Sequence, residues 1–300
     1  MLNDYTEHLN VKLEIDELEI GFVNVVGKGS NSVVHKANFK QKDTEKNAVE
    51  VAVKIPISFK KEDIDLFKLE LDAYVRIGSH PHIITFYGWI LHQNVPAIVL
   101  ELATENLLLY VRSFHKKQQF STSNFISILL QLSQALKHVA ALNIIHRDVA
   151  CRNILMITKD HVKISDFGLC CKCNENETYY AASRKKLPLK WLSIEALTQK
   201  KFSEKSDVWA FGILCYEMFS FGIEPYSTFS NVEMLEFLQS GKRLLIPKNT
   251  PESISSIMTD CWNENPNDRP TFAILEQRIM KILEGESAKY GYVTVTESAD

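Results

Sequence analysis

The chain has 300 residues, enough for one large domain or two small ones. A hydrophobic fraction of 45% and a charged fraction of 24% are ordinary for a globular protein, and a net charge of -3 gives no electrostatic case for nucleic acid or a membrane surface. No apolar run approaches the ~20 residues a membrane helix needs, the first ten residues lack a basic-then-apolar signal pattern, and the six cysteines read as reduced thiols of a cytosolic protein.

Residues 1–17 are polar and read as a lead-in. From Leu18 to Phe39 the pattern alternates and is rich in β-branched residues, which predicts two strands around a turn carrying Gly27 and Gly29. In such a hairpin, glycine lets backbone N–H groups approach phosphates closely. A polar loop leads to the strand VAVKI, where Lys54 by itself reads as a surface lysine. An amphipathic helix follows, with Leu66, Leu69, Ala73 and Ile77 at helical spacing and with Glu62, Glu70 and Asp72 among its carboxylates. HIITFYGWI and AIVLELA read as buried strands. The pattern then turns helical: LLLYVRSFHKK is a short helix. A longer one, with Phe125, Ile128, Leu132, Leu136 and Val139 on one face, is capped by Ser123 or a neighbour.

The run from His146 to Gly168, HRDVACRNILMITKDHVKISDFG, places Asp148, Asn153 and Asp166 at fixed offsets between β-rich runs. Cys170, Cys171 and Cys173 crowd the next loop. Their C-C-x-C spacing does not fit a zinc site; redox sensitivity is a minor alternative, in which exposed thiols near Lys172 could ionise more readily. SDVWAFGILCYEMFSFG is apolar on nearly all sides, as a helix at the centre of a lobe must be, and its Asp207 needs buried partners. The tail is polar, and its Tyr290 and Tyr292 read as docking phosphosites.

As a set these motifs resemble the eukaryotic protein kinases, over about residues 18–285. Asp148 and Asn153 fit H-R-D-x-x-x-x-N, and Asp166 opens D-F-G. The resemblance implies an α+β, two-lobed protein kinase fold. Its small antiparallel β-rich N-lobe (18–103) would carry one regulatory helix, its larger mainly helical C-lobe would span 104–285, and 286–300 would form a tail. ATP would bind in the cleft. Gly27, Lys28, Gly29 and Val34 fit the glycine-rich loop, with Ser32 in place of its third glycine and Asn31 where an aromatic residue is usual. Lys54 would grip the phosphates, held by Glu70, with Glu62 and Asp72 as alternatives. Tyr74, Phe86, His146 and Phe167 would form a packed column between the lobes. Leu100 would guard the back of the adenine pocket. Glu101 and Ala103 would meet adenine through backbone groups, so that their side chains say little. Val34 and Ala52 would cover the ring from above and Leu155 from below. Asp148 would accept the substrate proton, and Asp166 and Asn153 would hold metal, Mg²⁺ or alternatively Mn²⁺.

The substrate class follows from the same resemblance. Where serine/threonine kinases carry lysine the chain has Ala150, and the basic residue is Arg152. The run DVACRN resembles the D-L-A-A-R-N of tyrosine kinases, particularly receptor-type ones, with Cys151 for one alanine. Arg152 would stabilise the transferring group. Tyr179 and Tyr180 lie where regulatory phosphotyrosines are placed, and Arg147 with Arg184, Lys185 and Lys186 would bind their phosphate. Pro188, in LPLKW, would form a platform for a phenol ring. Of the closing A-P-E only Glu195 remains, after Ser193 and Ile194, and it is expected to pair with Arg269 in a structural ion pair. Asp207 would anchor the catalytic loop. The implied activity is transfer of the ATP γ-phosphate to protein tyrosine, regulated by autophosphorylation in a transient dimer. Phosphotyrosine-reading domains would be further partners, and nucleic acid would not. The setting would be the cytoplasm, on its own or within a membrane receptor system. Asn31, Ser32 and Ile194 keep one alternative open, an ATP-binding pseudokinase scaffold.

Overall fold

Alternating residues build the first layer. Strands β1 (Leu18–Lys28), β2 (Ser32–Phe39) and β3 (Val49–Pro56) precede helix α1 (Lys61–Ile77), and β4 (Phe86–His92) and β5 (Val95–Glu101) follow it. The five strands form an antiparallel sheet in the order β1-β2-β3-β5-β4. Because successive strand residues face opposite ways, Val51 and Val53 pack with Ala37, Ile90, Ala97 and Val99 on one face. Ala52 and Lys54 point to the other, where Ala52 joins the main core. This computed structural model describes residues 18–29, 32–39, 49–58, 60–92, 95–117, 120–174, 177–181 and 187–289. The readings on residues 1–17, Asn31, Arg184, Lys185, Lys186, Tyr290 and Tyr292, and on the side chains of Glu62 and Leu66, fall outside the described residues.

Helix α1 lies on the sheet through Phe67, Glu70, Leu71, Tyr74 and Ile77, all buried. Leu69, expected on the inward face, is 46% exposed. Two stripes of helical spacing overlap in this segment, one turn being ~3.6 residues. The burial of Glu70 and Tyr74 selects the stripe that leaves Leu69 outside.

The second lobe begins with β6 (Glu105–Asn106), α2 (Leu107–Lys117) and α3 (Thr122–Ala141), then β7 (Ile144–Ile145), β8 (Ile154–Met156) and β9 (Val162–Ile164). Next come β10 (Cys171–Lys172), β11 (Tyr179–Tyr180), α4 (Ile194–Gln199), β12 (Lys201–Phe202) and α5 (Glu204–Phe219). Helices α6 (Asn231–Gln239), α7 (Glu252–Cys261) and α8 (Phe272–Lys289) close the lobe. The cap of α3 is Ser121, not Ser123: Ser121 has extended backbone and its Oγ accepts from Asn124 N–H at 3.2 Å. Ser123 is already the second residue of the helix, with its own N–H among the unpaired ones, so it does not hold the cap position. The expected face of α3 is buried at Phe125, Ile128, Leu132, Leu136 and Val139. Helix α5 is buried on almost every side.

The lobes meet through more than the chain after Glu101. Ile84 N–H donates to Ile164 O at 3.0 Å, and Ile164 N–H donates to His82 O at 2.9 Å. The loop after α1 is thereby stitched to β9, which leads directly into Asp166. Among the described residues no helix is long and apolar enough to cross a membrane.

Candidate active site

The strand register that turns Lys54 into the cleft also sets its partners. Lys54 Nζ donates to Glu70 Oε1 at 2.6 Å and Oε2 at 2.8 Å, and to Asp166 Oδ1 at 2.9 Å. Three separate elements, β3, α1 and the segment after β9, thus converge on one ammonium group. Burial alone would pull the Lys54 pKa down, but Glu70 and Asp166 outweigh it and hold it up. Burial would push Asp166 up, and Lys54 outweighs it and holds that carboxyl below its ordinary range. The proton therefore stays on Lys54, and Asp166 stays ionised. Of the alternative partners for Lys54, Asp72 pairs instead with Arg76 at 2.7 Å on the outer face.

Behind Glu70 the aromatic column is continuous. Tyr74 stacks on Phe86 at 5.5 Å and meets Phe167 edge-on at 5.3 Å, and Phe167 lies 4.8 Å from His146. These contacts tie α1, β4 and the loops carrying His146 and Phe167 into one packed unit, so that moving α1 moves Phe167.

The loop from His146 to Asn153 is held from below by α5. Asp207 accepts from His146 N–H at 2.7 Å and Arg147 N–H at 2.9 Å. Arg147 has a left-handed backbone (φ 64°), which costs a non-glycine residue about 1–3 kcal/mol, and the two bonds to Asp207 hold it there. Burial pushes the Asp207 carboxyl up to about 7. Asn153 Nδ2–H donates to Asp148 O at 2.8 Å, which sets the spacing between the two side chains. Asp148 Oδ1 pairs with Arg152 Nη2, and the Arg152 guanidinium lies 4.2 Å over the Trp191 ring. Asp166 itself is left-handed (φ 64°, ψ 67°), a conformation aspartate tolerates better than most residues.

A family model described as protein tyrosine and serine/threonine kinase matches residues 20–279. The chain belongs to this kinase family. It is 34% identical over 236 residues to mouse (Mus musculus) tyrosine-protein kinase ZAP-70, covering 78% of this chain and 38% of that protein. It is 30% identical over 295 residues to the Drosophila melanogaster tyrosine-protein kinase transmembrane receptor Ror, covering 95% of this chain and 42% of Ror. Chicken (Gallus gallus) tyrosine-protein kinase SYK is 35% identical over 259 residues, 85% of this chain and 41% of SYK. The chain thus spans about two fifths of the length of these relatives.

Several of the other expected positions lie on the strands beside Lys54 or are packed in the main core. Gly27 and Gly29 lie at the β1–β2 turn, where Gly29 N–H donates to Ser32 O at 2.8 Å and a Cβ on Gly29 would sit 3.3 Å from Ser32 Oγ. Ser32 is buried at the position of the third glycine, and the bond that closes the turn uses its backbone carbonyl, so the turn does not depend on the serine side chain. Ala52 and Leu100 are buried in the main core, with Val34 and Leu155 packed against it. Glu101 adds a contact that the motif did not indicate. Its side chain is not idle: Oε2 accepts from Lys163 Nζ at 2.6 Å and Thr85 Oγ1 at 2.6 Å. Burial would raise the Glu101 carboxyl, but these bonds outweigh it and hold its pKa low. Its backbone N–H donates to Thr85 O at 2.9 Å. Lys163 and Thr85 were missed because a strand lysine and a loop threonine carry no motif.

Beyond the D-F-G turn the thiols are a correction. Cys170 is buried, and burial pushes Cys171 up to about 12 and Cys173 up to about 11, so Lys172 does not promote their ionisation. Tyr179 and Tyr180 differ. Tyr179 lies 5.1 Å from the Arg147 guanidinium, which also covers Phe202 at 5.2 Å, whereas Tyr180 is 58% exposed. Pro188 opens the turn Leu189–Trp191, and its O accepts from Trp191 N–H at 3.0 Å. Glu195 and Arg269 form a buried bidentate pair at 2.7 and 2.9 Å.

Proposed function

We propose that this chain is a catalytically competent protein tyrosine kinase domain that moves the γ-phosphoryl group of ATP to the phenol of tyrosine in protein substrates. The observation that carries the reading is the Lys54 ammonium shared between Glu70 and Asp166. It joins the phosphate-gripping lysine, the regulatory helix and the metal-holding carboxylate in one geometry. The groups needed to stabilise a dispersed negative charge are thus assembled, and such preorganised electrostatics supply most of the rate enhancement in phosphoryl transfer. This weighs against the scaffold alternative despite Asn31, Ser32 and Ile194.

In the proposed roles, Asp148 accepts the phenol proton and aims the oxygen in line. Arg152 stabilises the transferring group from the side of Asp148. Lys54 holds the α- and β-phosphates. Gly27, Lys28, Gly29 and Ser32 line the phosphate side, and Val34, Ala52, Leu155 and the backbones of Glu101 and Ala103 hold the adenine. The donor set fits Mg²⁺ (or Mn²⁺): Asp166 and Asn153 offer hard oxygens, and Mg²⁺ takes one or two protein ligands beside substrate phosphates. When bound, the ion neutralises phosphate charge. Pro188 supports the phenol ring. Of the two loop tyrosines, Tyr180 is the one a second molecule in a transient dimer reaches first, because Tyr179 is packed on Arg147. Phosphotyrosine-reading domains are its proposed partners.

The tyrosine preference draws on Ala150, Arg152 and the run ending in Trp191, and on the names of the relatives. The test is incubation of the purified chain and a tyrosine peptide with Mg-ATP, beside Asp166→Asn, with every phosphate mapped by mass spectrometry. Phosphate on tyrosine in the wild type only is the expected result. Phosphate confined to serine or threonine would overturn the substrate class, and none on chain or peptide would overturn the activity.

A further inference from the structure

Glu217 lies near the end of α5, 2% exposed, and none of the roles above uses it. A buried carboxylate needs partners, and here both come from the catalytic region. Glu217 Oε2 accepts from Cys151 N–H at 3.0 Å and from Trp191 Nε1–H at 3.0 Å. Cys151 opens the short turn that carries Arg152 and Asn153. Trp191 offers its ring face to the Arg152 guanidinium at 4.2 Å, and Arg152 pairs with Asp148. Asp207, on the same helix, holds the other end of the loop at His146 and Arg147. Two carboxylates of one buried helix therefore clamp the loop on either side of Asp148.

We propose that Glu217 is a positioning residue for phosphoryl transfer: it fixes the Trp191 indole, the indole face holds the Arg152 guanidinium flat, and Arg152 sets the orientation of the Asp148 carboxylate. The inference rests on the kinase reading above. Arginine is suited to this link and lysine is not, because only a planar guanidinium both stacks on an aromatic face and reaches a carboxylate in fixed geometry. An indole without its N–H anchor is free to tilt, and Arg152 and Asp148 tilt with it. Misplacement of a reacting group by ~1 Å costs about a hundredfold in rate, so a partial loss of orientation is felt.

The experiment is a double-mutant cycle on kcat with a tyrosine peptide. Glu217→Met keeps the length of the side chain and removes the acceptor. It should lower kcat about tenfold with the KM for ATP within about twofold, and Glu217→Gln, whose amide oxygen accepts the same two bonds, should restore most of the loss. In an Arg152→Lys background, which keeps the charge but not the plane, Glu217→Met should add less than about twofold. A Glu217→Met drop of the same size in both backgrounds, or a wild-type-like kcat for Glu217→Met alone, would overturn the inference. If thermal melting finds Glu217→Met unfolded, Trp191→Phe cuts the same link from the other side while keeping a ring. It should then lower kcat in the otherwise wild-type chain and not in the Arg152→Lys background, and equal effects in the two overturn the inference. A wild-type chain inactive toward the peptide would instead overturn the kinase reading, so the two failures are distinct.

Discussion

Replacing Glu70 by glutamine tests the centre of the site with the smallest change in shape. Lys54 makes three charge-assisted bonds, two to Glu70 and one to Asp166, each worth about 1.5–3 kcal/mol. The amide keeps one neutral acceptor and loses the other bond and the charge, a deficit of about 2–3 kcal/mol. If that deficit falls on the transition state, kcat/KM drops roughly 30- to 160-fold at about 1.36 kcal/mol per decade. Lys54 is also left with Asp166 as its sole carboxylate, so the ammonium competes with metal for that side chain. The half-saturating Mg²⁺ concentration should rise with the fall in rate. Steady-state peptide phosphorylation across ATP and Mg²⁺ concentrations reads both quantities. Asp72→Asn is the matched control, since Asp72 only pairs with Arg76 on the exposed face. A Glu70→Gln rate within about threefold of wild type, or an equal loss in Asp72→Asn, would refute the reasoning.

Glu195→Ala strands the Arg269 guanidinium, which is fully buried and also donates to the carbonyls of Asn263 and Lys205. Removing one partner of such a pair costs about 3–5 kcal/mol, and a circular-dichroism melt should register a fall in Tm of roughly 10 °C; a shift under ~3 °C would contradict the burial argument. His80 stacks on His138 at 5.0 Å and meets His82 at 5.8 Å, and burial, then these two imidazoles, bring its pKa down to about 4. Its folded value lies below its unfolded one, so the unfolded chain binds more protons between them. Stability should be full above about pH 6.5 and decline as pH falls toward 4. His80→Gln should flatten part of that decline in Tm measured against pH, and an unchanged slope would count against it. Cys171 and Cys173, pushed up to about 12 and 11 by burial, should alkylate slowly with iodoacetamide. Their labelling rate should still be climbing at about pH 9, where a free thiol of pKa about 8.5 is largely ionised; a plateau below that pH would refute the assignment.

Much of the site was legible as spacing. Asp148, Asn153 and Asp166 lie within one short run, whereas Lys54 and Glu70 are assigned by the family resemblance, Lys54 alone reading as a surface lysine. Asp207 was legible for a different reason, as a carboxylate in a helix apolar all round. Glu217 carried that same signal further along the same helix, and its use went unread because no motif names it. Leu69 and Ser123 show the limit of periodicity. Helical spacing admits two overlapping faces, and a serine-rich entry to a helix admits two caps; only packing chooses between them. The thiols of Cys171 and Cys173 show the limit of local charge, since Lys172 is a neighbour in sequence while burial acts through the fold.

The sequence by itself determined the family, the alternating strands, the buried helix and the catalytic offsets, because these depend on residue type and distance along the chain. Only the tertiary structure decided who shares Lys54, that Glu101 is tied to Lys163 and Thr85, that Tyr180 faces out while Tyr179 lies on Arg147, and that Glu217 reaches Trp191. Each of these joins residues from separate elements. Bringing distant chain segments together is the work of core burial, which rewards apolar contact without regard to sequence separation, and the polar partners that meet there are a consequence of which faces the core has turned inward.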